Sequence, residues 1–261
     1  MKKPQNLTRR NYYSKNSQKL YMSASQYKDF LRCEAAALAR IKGQIPEQSS
    51  TALLVGSYVD AHFSGEADRF AKAHPEIFKK DGTLKAEFAH ADYIISRIEE
   101  QPEMMRYFSG EHQKIFIGEI AGVPFKCRVD SYLPDEAIVD GKVMRDFEPK
   151  YVPEQGRVPW FEYWGYDIQG AIYQELVRQN TGKKLPFILN AATKEEEPDL
   201  ALLKVEQSLL DYQLAEVKKN APRFDAIKNG IIKPTRCEHC EYCKRTKKIT
   251  LIGTEALIDA E

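Results

Sequence analysis

The residues of this chain best suited to chemistry are two aspartates and a lysine in the segment FKCRVDSYLPDEAIVDGKVMRD. Asp130 ends one apolar run, and Asp140 and Lys142 lie at the end of the next run. Side chains two positions apart on a β-strand point to the same face of a sheet, so Asp140 and Lys142 should project together. If the two runs pair as strands, Asp130 joins them.

Such a group of side chains predicts metal-assisted phosphodiester chemistry. Two carboxylates suit a hard divalent cation such as Mg²⁺ or Mn²⁺. The cation can polarise a phosphodiester and activate a water molecule, while the neighbouring ammonium steadies the nucleophile or the developing charge. The alternative is a surface hairpin with ordinary charged residues, because an Asp-x-Lys sequence is common by itself.

The composition sets few limits on the partners of this protein. Its 261 residues include 39 Lys and Arg and 38 Asp and Glu, so the net charge is +1 and any basic surface has to be local. Candidates are the N-terminal arm and the segment CKRTKK. No apolar run is long enough for a membrane span, and the N-terminus lacks the apolar region of a secretory signal. We therefore expect a soluble, cytoplasmic protein with no membrane partner.

The hydrophobic pattern predicts the elements that must position the charged residues. Helical periodicity is found in SASQYKDFLRCEAAALARIKG and in TALLVGSYVDAHFSG, which carries His62. Three strands follow, HQKIFIGEI, VPFKCRVDSYL and EAIVDGKV, with the first turn at Ala121-Gly122. A helix with Gln169 and Tyr173 on one face, two further strands and an amphipathic helix complete the pattern. This order indicates an α/β core with helical additions.

The chain is expected to form one domain. Residues 1–22 are polar and predict a flexible N-terminal arm, residues 23–249 form the domain, and residues 250–261 form a C-terminal tail. A cysteine-rich segment occupies residues 236–245 at the end of the domain.

Three cysteines in that segment have a spacing typical of metal ligands, Cys237-x-x-Cys240-x-x-Cys243. The chain has five cysteines, and an odd number with this crowding is unlike a secreted disulfide framework. It indicates metal ligation in a reducing compartment. A fourth ligand is needed, from Cys33 or His239. The three options are a [4Fe–4S] cluster, a structural zinc ion, and cysteines without a metal.

Four segments in sequence order resemble the PD-(D/E)xK nuclease superfamily: LLVGSYVDAHF, FKCRVDSYL, AIVDGKVMRDF and YWGYDIQGAIYQEL. The likeness is greatest to phage and prophage exonucleases of the RecE type, and it extends more distantly to Cas4, the RecB nuclease domain and lambda exonuclease. It covers residues 25–245. The resemblance implies a restriction-endonuclease-like core, with a central mixed sheet flanked by helices, an N-terminal helical region and a C-terminal cysteine segment.

The resemblance also implies a metal site. Carried over by position, His62, Asp130 and Asp140 hold the metal. A further acid often precedes the metal-binding aspartate in these enzymes, and Glu111 is the first candidate and Glu119 the second. Without the resemblance, a histidine on such a helix is more often a core residue than a ligand.

Other residues take implied roles beside the metal. Lys142 acts next to it, and Gln169 and Tyr173, an i, i+4 pair, steer DNA toward it, with simple helix packing as the alternative. The sequence departs from the superfamily at Gly141, where an apolar residue is common, although glycine removes no ligand. In Cas4, one upstream and three downstream cysteines bind an iron–sulfur cluster. The resemblance implies the same role for Cys33 and the cysteine segment. The gap before the last cysteine is shorter here than is common in those proteins.

The implied activity is Mg²⁺- or Mn²⁺-dependent digestion of linear duplex DNA, from 5′ to 3′ on one strand, which leaves a 3′ single strand. The expected partners are duplex DNA ends and a single-strand annealing protein that takes this strand for phage recombination. Related enzymes form rings, so a homo-oligomer is expected, in the cytoplasm of a bacterial host and encoded by a phage or prophage. Two alternatives stay open: a Cas4-like iron–sulfur nuclease that trims DNA ends, and a non-catalytic DNA-binding module on a nuclease fold.

Overall fold

Five strands pair into one mixed sheet at the centre of the protein, and two short strands form a separate hairpin. The strands are β1 (Glu111–Ile120), β2 (Val123–Leu133), β3 (Ala137–Met144), β4 (Lys150–Val152), β5 (Gly156–Val158), β6 (Phe187–Thr193) and β7 (Leu200–Lys204). The order in the sheet is β1-β2-β3-β6-β7, and every neighbouring pair is antiparallel except β3 and β6. The computed structural model describes residues 7–46, 50–153, 155–249 and 251.

The β1–β2–β3 meander forms as the sequence predicts. Ala121 and Gly122 make the tight turn between β1 and β2 with φ values of 51° and 76°. Positive φ at both turn residues matches the twist of the flanking strands. Along β2, alternate side chains such as Phe125, Cys127 and Val129 are buried. The predicted turn and its three strands are therefore confirmed.

Helices surround the sheet. They are α1 (Lys15–Leu20), α2 (Ala24–Arg32), α3 (Glu34–Ile41), α4 (Thr51–Phe63), α5 (Ala67–Ala73), α6 (Ala86–Glu99), α7 (Pro102–Tyr107), α8 (Trp160–Tyr163), α9 (Tyr166–Thr181), α10 (Gln207–Lys228) and α11 (Glu241–Arg245), with a 3₁₀ helix at Pro75–Ile77. None of the helices in the described ranges has both the length and the apolarity that crossing a membrane requires.

Two apolar clusters join these helices to the sheet. In one cluster, α2, α9 and α10 bury Phe30, Ile172 and Phe224 with residues of β2 and β6. In the other, α4 and α6 bury Val59 and Ile94 with residues of α7 and the end of β6. Because parallel strands need a long crossover, α9 and the preceding segment connect β3 to β6. The predicted α/β core, a central mixed sheet flanked by helices, is confirmed.

Two regions differ from the sequence predictions. The single helix predicted from residue 23 to residue 43 is divided at Cys33, whose extended backbone ends α2 and precedes α3. Part of the predicted flexible arm is ordered, because α1 forms, Tyr12 is buried and Met22 pairs with Phe125 of β2. Of the predicted tail at 250–261, only residue 251 lies within the described residues.

Candidate active site

Strands β2 and β3 separate just where the predicted acids lie. Their pairing ends at Ser131 and Val139, so Asp130 and Asp140 follow at the point of separation. Asp130 Oδ2 accepts a hydrogen bond of 3.0 Å from the backbone N–H of Gly141, which replaces a bond between the strands. Both carboxylates consequently line one cleft instead of being covered by a continuous ladder.

Two side chains hold Asp140 in place. Its Oδ1 accepts a hydrogen bond of 2.6 Å from Gln169 Nε2, and its Oδ2 forms an ion pair with Lys142. Lys142 Nζ also donates to the carbonyl oxygen of Gly141 at 3.2 Å and lies 5.1 Å from the centre of the Tyr166 ring. Asp140 and Lys142 therefore project together as their spacing predicts, and the N-terminal part of α9 orients them.

A third carboxylate, that of Asp60, reaches this group from α4. Its Oδ1 accepts a hydrogen bond of 3.0 Å from Gln113 Nε2. Asp60 interacts electrostatically with Lys142 and Asp140, and it lines a cavity of about 30 Å³ together with Asp130 and Lys142. A cavity of this size has room for a single water molecule or ion. Asp60 is not among the site residues predicted from the sequence.

His62 does not take the metal-binding position that the resemblance implies. An α-helix turns about 100° per residue, so Asp60 and His62 project from nearly opposite sides of α4. His62 is exposed, and its Nε2 lies 2.8 Å from Glu99 Oε1. The spacing along the helix identifies Asp60. Gly56, Asp60 and Phe63 are four and three positions apart, so they lie on the same side of α4, and all three line the same cavity.

Neither glutamate candidate joins the acids. Glu111, the first residue of β1, is exposed and pairs with Lys114 at 2.5 Å. Glu119 is exposed near the other end of the same strand. Strand β1 instead contributes Gln113, which binds Asp60, and the further carboxylate comes from a helix.

Burial and mutual repulsion shift the pKa values in this group. The pKa of Asp130 is raised well above its usual value, first by burial and then by Asp140 and Asp60. The pKa of Asp60 is raised mainly by burial. Burial opposes the charge of Lys142, but Asp140 and Asp130 raise the pKa of Lys142 above its usual value. Asp130 and Asp140 lie beside the ammonium and Asp60 lines the adjoining cavity, so the group offers carboxylate oxygens, the donors that suit a hard divalent cation.

A cleft of about 880 Å³ extends from the acids to the surface, between the α1–α3 segment and β2. Most of its charged lining is basic. The cations are Lys15, Lys19, Arg40, Lys42, Lys126, Arg128 and Lys142, and the acids are Asp29, Asp130 and Asp140. Gln169 and Tyr173 also line this cleft. The structure thus brings Asp130, Asp140, Lys142, Gln169 and Tyr173 together at one cleft, and it adds a local basic surface.

The four cysteines predicted as ligands form a second cluster. The Sγ atoms of Cys33, Cys237, Cys240 and Cys243 all lie within 4.8 Å of one another. Burial raises the pKa of the Cys237 thiol, but backbone N–H groups of Cys240 and His239 lower it to about 6, which favours the thiolate that binds metals. Cys33, rather than the side chain of His239, completes the set. Four thiols at this spacing could hold a metal, as zinc or as an iron–sulfur cluster.

Comparisons with known proteins agree with this geometry. The family described as "PDDEXK-like domain of unknown function (DUF3799)" matches residues 23–246. A crystal structure at 2.19 Å of a protein called "Putative exonuclease", from Eubacterium rectale, is 45% identical, with a TM-score of 0.92 over 98% of this chain and 99% of that one. The crystal structure of SSO0001 is 13% identical over 70% of this chain and 83% of that one, and its TM-score of 0.28 supports no argument. No curated protein matches this chain.

The family match spans nearly the whole described chain, and it includes Asp60, Asp130, Asp140 and Lys142. The two aspartates and the lysine next to Asp140 belong to the segments in which the sequence resembles PD-(D/E)xK nucleases. The chain therefore belongs to the PDDEXK-like family and has the fold of a PD-(D/E)xK nuclease.

Proposed function

We propose that this protein is a metal-dependent DNA exonuclease. The observation that carries the proposal is the convergence of Asp130, Asp140 and Lys142 on one basic cleft. The name of the 45% identical structure supports the class of reaction. In that reaction water adds to phosphorus, the bond from phosphorus to the leaving oxygen breaks, and the leaving oxygen takes up a proton.

The role of each residue follows from its contacts. Asp130, Asp140 and Asp60 would hold Mg²⁺ or Mn²⁺, which supplies Lewis-acid stabilisation of negative charge and a lowered pKa for water. Lys142 keeps its positive charge beside Asp140, so it stabilises the negative charge that develops on the phosphate oxygens. Gln169 fixes the orientation of Asp140 through the hydrogen bond to Oδ1.

The substrate in this proposal is the end of linear duplex DNA. Digestion runs from 5′ to 3′ and leaves a 3′ single strand for phage recombination, with a single-strand annealing protein as partner and a homo-oligomer as the active assembly. The four motifs that resemble RecE-type exonucleases support this assignment. The basic lining of the cleft also supports it, because lysine and arginine side chains neutralise a phosphate backbone.

A Cas4-like nuclease that trims DNA ends is the second candidate, and the four-cysteine cluster is the observation that favours it. A sizing column separates the two candidates, since a ring-sized oligomer favours the RecE type and a monomer favours the Cas4 type. A non-catalytic DNA-binding module fits less well, because Asp140 and Lys142 are in direct contact and Asp130 lies beside them.

Digestion of linear duplex DNA labelled at one end tests the main proposal. In Mg²⁺ we expect early release of a 5′ label and late release of a 3′ label, because hydrolysis removes nucleotides from the 5′ end first. In EDTA we expect no digestion. Circular duplex DNA of the same sequence is the control, and cleavage of the circle at the rate of the linear form would contradict an exonuclease.

For the cysteine cluster we propose a single structural metal ion, with zinc as the ion that fits best. Four thiolates at about 2.3 Å from one tetrahedral zinc ion lie about 3.8 Å apart. The Sγ atom of Cys243 lies 3.6 Å from that of Cys33 and 4.0 Å from that of Cys237. In a [4Fe–4S] cluster each thiolate binds a different iron atom, so the four sulfurs lie farther apart than around one ion.

A further inference from the structure

A cation and an aromatic ring lie beside the acids in the cleft. The role inferred for them rests on the proposed nuclease function. Arg128 precedes Asp130 by two positions on β2, so both side chains lie on one face of the strand. Tyr13, from the segment before α1, lines the same cleft. We propose that Arg128 and Tyr13 form a subsite for one nucleotide of a single strand, in which Arg128 binds its phosphate and Tyr13 stacks on its base.

The surroundings of Arg128 indicate an anionic ligand. Among the described residues, no carboxylate lies within ion-pair distance of its guanidinium and no oxygen accepts a hydrogen bond from it, although Asp60 interacts with it electrostatically. The guanidinium lies 5.7 and 5.0 Å from the centres of the Tyr12 and Tyr13 rings. Arg40, which lines the same cleft, is instead paired with Asp29 at 2.6 Å. A half-buried guanidinium with free donors suits the planar, bidentate recognition of a phosphate.

Tyr13 presents an aromatic face next to that cation. Its side chain is 62% exposed, whereas the neighbouring Tyr12 is 5% exposed. The ammonium of Lys126 lies 4.3 Å from the centre of the Tyr12 ring and donates to the Tyr12 carbonyl oxygen. The two tyrosine rings meet edge to face, with centres 5.0 Å apart. The anchored ring thereby orients the exposed one, so little conformational entropy is lost when a base stacks on it.

The position of Tyr13 decides which form of nucleic acid the subsite takes. Tyr13 lines the cleft together with Asp130 and Lys142, and its side chain interacts electrostatically with both. Stacking on a tyrosine requires an unpaired base with a free face, because the bases of a duplex already stack on their neighbours. The subsite therefore binds a single strand, such as the frayed end of a duplex, in preference to an intact duplex.

Binding of a labelled single strand of about 12 nucleotides tests the subsite, in Ca²⁺ and with a gel that confirms an intact probe. We expect Arg128→Gln to weaken binding about tenfold and to reduce the slope of log K against log [salt] by about 0.7, since one phosphate contact is lost. Tyr13→Ala should weaken binding about fivefold or more without a change in that slope, and Tyr13→Phe should bind like the wild type.

Arg106→Gln is the matched control, because Arg106 pairs with Glu103 at the surface and lies outside the cleft, so affinity and salt slope should stay unchanged. An oligonucleotide without bases should bind the wild type less tightly, and Tyr13→Ala should then cause no further loss. Melting temperatures verify that each variant is folded. Wild-type affinity and salt slope in both Arg128→Gln and Tyr13→Ala would overturn the subsite.

The outcomes for the subsite and for the nuclease proposal are separable. A wild-type protein that digests linear DNA, together with unchanged binding in both variants, rejects the subsite alone. A wild-type protein that does not digest DNA but shows the expected binding pattern rejects the nuclease proposal and supports the subsite.

Discussion

The position of a side chain around its helix or along its strand decides whether it reaches the acids. Asp140 and Lys142 are two positions apart on a strand, so their common face follows from spacing alone and is confirmed by their contact. Asp60 and His62 are also two positions apart, but on a helix the same spacing separates them. The resemblance implied that His62 is the ligand, whereas the positions of the two residues around the helix indicate Asp60.

Substitution of Asp60 tests this correction. Asp60→Asn should reduce the rate of DNA digestion about 10- to 100-fold, because a carboxylate next to the proposed cation is lost. The asparagine keeps an oxygen that can accept the hydrogen bond from Gln113, so the fold should persist. Initial rates at saturating and at limiting Mg²⁺ measure the effect, which should be larger at limiting Mg²⁺.

His62→Ala is the matched control on the same helix. His62 is exposed and contacts Glu99 at the surface, where ion pairs contribute little. We expect this variant to digest DNA within about twofold of the wild type. Loss of activity in His62→Ala together with normal activity in Asp60→Asn would restore the original ligand prediction.

At the element scale, the sequence predicts most strands and helices but not where a helix is interrupted. The apolar pattern and the turn at Ala121 and Gly122 are local, so the meander could be read from neighbouring residues. The division between α2 and α3 at Cys33 depends on contacts with residues about 200 positions later. The Sγ atom of Cys33 lies 3.6 Å from that of Cys243, and Glu34 accepts hydrogen bonds from Arg223. The helical periodicity of the sequence gives no information about such distant partners.

The cysteine cluster connects the α2–α3 junction to the C-terminal end of the domain. We therefore predict that the metal ion proposed for this cluster stabilises the fold. Cys33→Ser should remove about one zinc ion per chain and lower the melting temperature by more than about 5 °C, because the ion links the α2–α3 junction to α11. Metal analysis of protein purified without oxygen measures zinc and iron, and an absorption spectrum detects a cluster.

Cys127→Ala is the control for this experiment. Cys127 is fully buried in β2 and lies outside the four-cysteine cluster, so the variant should lose stability through a small cavity but retain the ion. About four iron atoms per chain with visible absorption would contradict a single ion and support the [4Fe–4S] cluster. A wild-type protein that binds neither metal would leave the cysteines without the proposed role.

At the scale of the whole molecule, the N-terminal segment becomes one wall of the cleft. Two lysines from distant elements hold its backbone, since the buried Lys126 donates to the carbonyl oxygen of Tyr12 and the half-buried Lys228 donates to that of Tyr21. Burial lowers the pKa of Lys126 to about 8 and that of Lys228 to about 7. The polar composition of residues 1–22 predicted a flexible arm because these tertiary contacts are not visible in a local window.

The same long-range assembly explains which parts of the site could be predicted. Asp130, Asp140 and Lys142 lie within one short segment, and their motif is recognisable there. Asp60 and Tyr13 join them from α4 and from the N-terminal segment, where neither has a distinctive motif of its own. A local pattern thus identifies the chemistry, and the tertiary fold adds the third carboxylate and the wall of the cleft.

Digestion of linear duplex DNA by the Asp140→Ala variant is the decisive measurement for the proposed catalytic centre. Asp140 contacts both Lys142 and Gln169, so its removal should lower the rate about 1,000-fold or more while DNA binding remains measurable. Asp146→Ala is the control, because Asp146 pairs with Lys150 beyond the end of β3 and should leave the rate nearly unchanged. If folded Asp140→Ala protein digests the duplex as fast as the wild type, the claim that these side chains form the catalytic centre is contradicted.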